Sequence, residues 1–206
     1  MLNWLRKKRP VAPSVPEALW KGVLARHGFL AVLAAPEQDR LRALANEFHK
    51  AKEFHGGHGF AITDDVALSI AAQAVLPVLH LDLDGEPRSA LRWYDDFVGI
   101  VVHPGEVVAR REITDESGVV HHYDEVLAGE AMEGGPVMLS WQDVQRAGQD
   151  ADSGYNVVIH EFVHKIDMRD GAADGCPPLP AGFLGTDSIR AAREAWMAVF
   201  QPAYDQ

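Results

Sequence analysis

The chain has 206 residues, with 19 Lys and Arg against 30 Asp and Glu, a net charge of −11. Its apolar and charged fractions, 47% and 24%, are those of a folded domain, so wholesale disorder is excluded. The acid excess argues against a general nucleic-acid binder, which needs a basic face to displace counterions, and against adsorption on anionic membranes. One cysteine, Cys176, leaves no intramolecular disulfide. No segment approaches the roughly 18 apolar residues of a membrane span. The basic stretch Arg6–Arg9 is followed by no apolar run of the kind a secretory signal requires. A cytoplasmic, reducing setting is the expectation, with neither nucleic acid nor membrane as partner.

In chain order, residues 1–16 read as a mobile, proline-containing lead-in, and 17–206 as a single domain. Leu19, Trp20, Val23 and Leu24 predict a helix from Glu17 to about His27. Leu41, Leu44, Ala45 and Phe48 predict a second from Pro36 to about Phe54, with proline at the first helical position. The glycines of residues 55–59 break the chain, and a third helix is predicted from Asp64 to about Leu79. The β-branched run Val98–Val102 predicts a strand. Glu106–Thr114 and Val119–Leu127 flank Asp115–Gly118 as a hairpin. Pro136–Trp141 predicts another strand, and Trp141–Ala147 a short helix. Asn156–Asp167 is an apolar helical segment. Residues 170–186 read as a loop, and Asp187 as the N-cap of a last helix from Ser188 to about Phe200. Helices, a small sheet, then helices indicate an α+β fold.

The chemistry concentrates in His160-Glu161-Phe162-Val163-His164, an H-E-x-x-H pattern. Residues four apart share one helical face, because a turn takes about 3.6 residues. Both imidazoles can therefore reach one metal ion, and Glu161 can act on water at its open position. Val157, Val158, Ile159, Phe162, Val163 and Ile166 surround these polar residues with apolar ones. Burying polar groups unpaired in such a run would cost several kcal/mol, which argues for a site rather than coincidence. Lys165 is expected at an exposed edge. Asp167 either accepts from a ligand imidazole or bonds to the loop that follows.

Gly135–Trp141, Asn156–Asp167, Asp174-Gly175 and Pro177–Pro180 together closely resemble the Mlc titration factor A family, MtfA, from about residue 17 onward. The resemblance implies a zincin-like α+β metallopeptidase domain similar to that of anthrax lethal factor: N-terminal helices, a small mixed sheet and the H-E-x-x-H helix. It implies one Zn2+ per chain, held by His160 and His164, with Glu161 as catalytic base. It also implies aminopeptidase-type cleavage of peptide substrates and binding of a glucose-responsive transcriptional repressor. The family's third zinc ligand is a glutamate in a later helical segment, with a tyrosine a little upstream. Nothing in residues 168–206 matches that segment, and Tyr204 does not match the tyrosine. Three readings stay open: a C-terminally truncated chain; an internal substitute ligand, Glu194 first, then Asp170, Asp187 and His122; or a catalytically impaired protein that keeps only the binding role.

Other features carry less. His121-His122 face opposite ways on a strand and read as a solvated hairpin edge. His49, His55 and His58 surround the glycine-rich break, where a second metal competes with a plain connection. Gly56-Gly57-His58-Gly59 lacks the Lys-Ser/Thr of a phosphate loop. Cys176 has no cation close in sequence to activate it. The strand Val137–Ser140 is a candidate edge for pairing with extended substrate.

Overall fold

The computed structural model describes residues 15–83, 86–114, 117–118, 120–147 and 154–205. Most of the expected lead-in, with its basic cluster, and half of the expected hairpin turn lie outside them. Seven helices and six strands occur among the described residues: α1 Glu17–Arg26, α2 Gly28–Ala31, α3 Ala35–Ala51, β1 Glu53–Gly56, α4 Asp64–Ala74, β2 Gly99–His103, β3 Val107–Thr114, β4 Val120–Leu127, β5 Gly129–Ala131, β6 Val137–Ser140, α5 Trp141–Arg146, α6 Val157–Asp167 and α7 Ile189–Tyr204. No helix among these residues is long and apolar enough to cross a membrane.

The main sheet has the order β1-β2-β6-β5. β1, β2 and β6 are parallel, and β5 runs antiparallel to β6 at the edge. β3 and β4 form a separate antiparallel hairpin. This is the expected α+β arrangement with a small mixed sheet. β6 is buried at all four positions and paired on both sides, so the candidate substrate edge Val137–Ser140 is an interior strand. The edge strands are β1 and, next to β6, β5, which is too short to be evident in the sequence.

Two helix ends differ from expectation for local reasons. α3 stops at Ala51, because Lys52 turns extended (φ −108°, ψ 151°) and starts β1, which puts Phe54 in a strand. The Lys52 ammonium secures that turn by donating to the carbonyls of Tyr94 and Phe97, each at 2.5 Å. α4 ends at Ala74 instead of Leu79, since Pro77 has no N–H to give and disfavours helical backbone before it. At the last helix, Ser188 rather than Asp187 is the cap: its hydroxyl accepts from the Ala191 N–H at 3.2 Å.

The core joins α1, α3 and α4 to the sheet and to α6. Phe162 is fully buried, its ring 5.4–6.0 Å from those of Phe48, Tyr94 and Phe97. Each such aromatic pair contributes about 0.5–1.5 kcal/mol beyond burial. The Tyr94 hydroxyl donates to the Ala74 carbonyl at 2.7 Å, satisfying the one polar atom of that cluster. Phe162 thus locks the apolar side of α6 inward, and its histidines are left facing outward.

Candidate metal centre

α6 begins at a capped end. The Asn156 side chain accepts from the Ile159 N–H at 3.0 Å, and its amide donates to Gln73 on α4 at 2.8 Å. The cap therefore both starts the helix and fixes it against the core. One turn on, the Nε2 atoms of His160 and His164 lie 3.2 Å apart. Two nitrogens bound at about 2.0–2.1 Å to one tetrahedral ion stand about 3.3 Å apart, so the pair fits zinc in donor type and in spacing. His160 is exposed and His164 half-buried, which leaves the pair open to solvent.

Glu161, next after His160 in the chain, is buried. Burial raises its carboxyl above the ordinary carboxylate range; Glu130 adds to the rise, while His164 and the Ala131 N–H oppose it. That N–H belongs to the edge strand. Flanking β5, the Ala128 carbonyl accepts from the Ser140 N–H of β6 and the Met132 N–H donates to the carbonyl of Pro136 just before β6, so by alternation Gly129 and Ala131 present theirs on the free side. Gly129 also faces the carboxylate: a Cβ there would lie 2.7 Å from Cγ and 2.8 Å from Oε1 of Glu161. The edge strand and the motif helix therefore meet at Glu161.

Lys165 corrects an expectation. It is 1% exposed rather than at a solvated edge. Its ammonium donates to the carbonyls of Met132 (2.9 Å) and Gly135 (3.3 Å) and pairs with Asp96 at 3.2 Å. Those three partners match an ammonium's three donors, and the charge also lies 4.7 Å above the Phe97 ring. Lys165 thereby ties the turn after β5 to α6. Asp167 takes the loop role, its Oδ2 accepting from the Gly175 N–H at 3.1 Å. Its Oδ1 is buried without a partner among the described residues.

No third His, Cys, Asp or Glu joins the histidine pair among the described residues. Glu194, the first substitute, is held by Arg190 on its own helix at 2.8 Å. Asp170 accepts from the Ala172 N–H, Asp187 is exposed, and His122 pairs with Glu112 across the hairpin. The described residues thus contribute two of the three protein ligands a catalytic zinc site uses. Cys176 is buried, and burial raises its thiol pKa, which disfavours the thiolate.

Sequence reasoning missed Tyr155. Its ring centroid lies 6.2 Å from that of His160, and its phenol pKa is raised by burial and by the carboxylates of Glu161 and Asp143. The available signal was its place one residue before the Asn156 cap.

Comparisons with known proteins bear on this geometry. The glucose-regulated metallo-peptidase M90 family matches residues 1–206. Mlc titration factor A of Yersinia pestis (strain Pestoides F) is 34% identical over 181 residues, covering 87% of this chain and 62% of that protein. The same figures hold for Mlc titration factor A of Yersinia pseudotuberculosis serotype O:1b (strain IP 31758). The chain thus spans 62% of the length of these curated relatives.

Proposed function

Because this chain belongs to the M90 family of glucose-regulated metallo-peptidases, we propose that it is a zinc-dependent peptidase of zincin-like fold, acting in the cytoplasm as an aminopeptidase on small peptides. The observation that carries the reading is the 3.2 Å approach of the His160 and His164 Nε2 atoms, with the buried Glu161 carboxylate between them in sequence. These two histidines would hold the ion. Bound zinc supplies Lewis acidity and lowers the pKa of a water molecule towards about 7.

The protein's own groups do the rest. Glu161, with its pKa raised by burial, is poised to take a proton from the attacking water and pass it to the leaving amine. The Ala131 N–H holds that carboxylate against β5. The remaining main-chain groups on the free side of β5 are those with which an extended peptide would pair. Phe162 and Lys165 keep α6 and the β5–β6 turn in register while this happens.

A second role is binding a glucose-responsive repressor. It rests on the relatives' name, Mlc titration factor A, and on the exposed Val108, Val126 and Tyr123 of the β3–β4 hairpin. Glu161→Gln separates the two roles. Peptide hydrolysis should fall by about 10²–10⁴-fold, the usual worth of a general base, while zinc content and repressor binding stay unchanged. Hydrolysis that survives the substitution would remove Glu161 from the mechanism. Repressor binding lost along with hydrolysis would mean that both use one site.

A further inference from the structure

A second histidine pair lies in the fold, outside the motif helix. Parallel pairing of β1 with β2 sets Gly56 opposite Val102, so the next residue, Gly57, meets His103 at the carboxyl end of β2. The imidazole of His103 packs directly on that backbone: a Cβ on Gly57 would lie 2.2 Å from its Cε1 and 2.3 Å from its Nδ1. The following residue, His58, has left-handed backbone (φ 51°, ψ 35°). For a non-glycine residue this conformation costs about 1–2 kcal/mol. Its result is that the His58 ring returns over the strand end, with Nδ1 of His58 2.9 Å from Nδ1 of His103 and ring centroids 4.9 Å apart.

We propose that His58 and His103 form a second metal site, a two-imidazole chelate for a divalent late transition ion of tetragonal geometry, copper(II) before nickel(II). Two nitrogens on cis arms of about 2.0–2.1 Å, at 90° to one another, stand about 2.9 Å apart, against about 3.3 Å for tetrahedral arms. The observed 2.9 Å, which is also a hydrogen-bonding distance between the two rings when no ion is bound, fits the cis arrangement. Imidazole donors in tetragonal sites suit copper(II) and nickel(II), and copper(II) stands highest in the affinity order. His58 is exposed and His103 half-buried, so the pair is open to an ion from solvent. The histidines first grouped with His58 do not join: His55 pairs with Glu53 at 3.6 Å, and His49 lies 5.8 Å from the Phe54 ring. The site has two protein ligands, with water completing the sphere. It sits at the sheet end where His103 pairs with Ser140, and Ser140 bonds to Ala128. It is thus two strand spacings, roughly 10 Å of backbone, from the strand that holds Glu161.

The test is copper(II) titration of the full chain carrying His160→Gln and His164→Gln, read by the copper electron paramagnetic resonance spectrum. One copper should bind, with hyperfine coupling to two imidazole nitrogens. Adding His58→Asn, which tolerates left-handed backbone, or His103→Gln should weaken binding more than about tenfold, since even partners of ligands are worth 10–100-fold. No copper uptake, or equal affinity with Asn at position 58, overturns the proposal. Substoichiometric copper added to the chain carrying only His160→Gln and His164→Gln gives an independent reading. It should broaden the imidazole resonances of His58 and His103; sharp signals from both overturn the proposal with both of those histidines intact.

Discussion

Gly129 and Glu161 are packed so closely that no side chain fits between them. A methyl group on the strand residue would come within 2.8 Å of the carboxylate oxygen, and at the same distance from a Val157 methyl. The site therefore has its tightest constraint at a residue with no chemistry of its own. Gly129→Ala should move Glu161 off the Ala131 N–H. We expect about 1–3 kcal/mol of destabilisation, as for overpacked cores, measured by denaturant unfolding. Peptide hydrolysis should fall more than zinc content, because the histidine pair lies on α6 and not on β5.

Zinc retention should follow the histidines. Elemental analysis of the chain equilibrated with excess zinc and desalted without chelator is expected to give about one zinc per chain, and near zero for His160→Gln or His164→Gln. Glu194→Gln should leave the value unchanged, since that carboxylate is engaged by Arg190 rather than by the pair. A fall in zinc on that substitution would restore Glu194 as a ligand.

Lys165→Met keeps much of the side-chain volume but removes the ammonium shared by Met132, Gly135 and Asp96. Breaking a buried pair strands its partner, here a carboxylate that is itself part-exposed. We expect a loss of roughly 2–4 kcal/mol in urea unfolding. Asp96→Asn on top of Lys165→Met should cost less than the two single changes added together, the mark of a coupled pair.

Asn156→Ala removes both the cap of α6 and its tie to Gln73. A lost N-cap costs about 0.5–2 kcal/mol, and the same range is expected in unfolding here. Asn156→Asp keeps the acceptor for Ile159 and should recover most of the cap.

The fully buried His27 supplies a pH test. Burial, and then the charge of Arg26, lowers its pKa to about 4, with Asp65 opposing. Its Nε2 is 3.4 Å from the Gln73 amide, and its Nδ1 has no partner among the described residues, so a proton there would find no acceptor among them. The unfolded chain takes up that proton near pH 6.5 and the folded one near 4. Stability contributed by neutral His27 is therefore present above about pH 6.5 and is lost as pH falls towards 4, by roughly 2–3 kcal/mol. His27→Gln should flatten that part of the stability–pH curve; an unchanged slope would mean that His27 is not its source.

Much of α6 could be read directly, because helical spacing is a local property. Residues four apart must share a face, so His160 and His164 meet whatever packs around them, and Asn156 caps the helix from adjacent sequence. The apolar stripe likewise foretold the burial of Phe162. Lys165 was misread for the opposite reason. A charged residue in an apolar run looks like an exposed edge until its partners are known, and here they come from residues 96, 132 and 135.

Local pattern thus determined which helix carries the paired imidazoles, where β2, β3, β4 and β6 run, and the α+β class. Tertiary structure alone decided that β5 rather than β6 forms the sheet edge, that Glu161 rests on Gly129, and that His58 meets His103 rather than His49 or His55. Each of those outcomes depends on pairing between residues far apart in the chain. The three-residue β5 has no periodicity of its own to announce it; it is a strand because β6 supplies its hydrogen bonds and α6 covers its face.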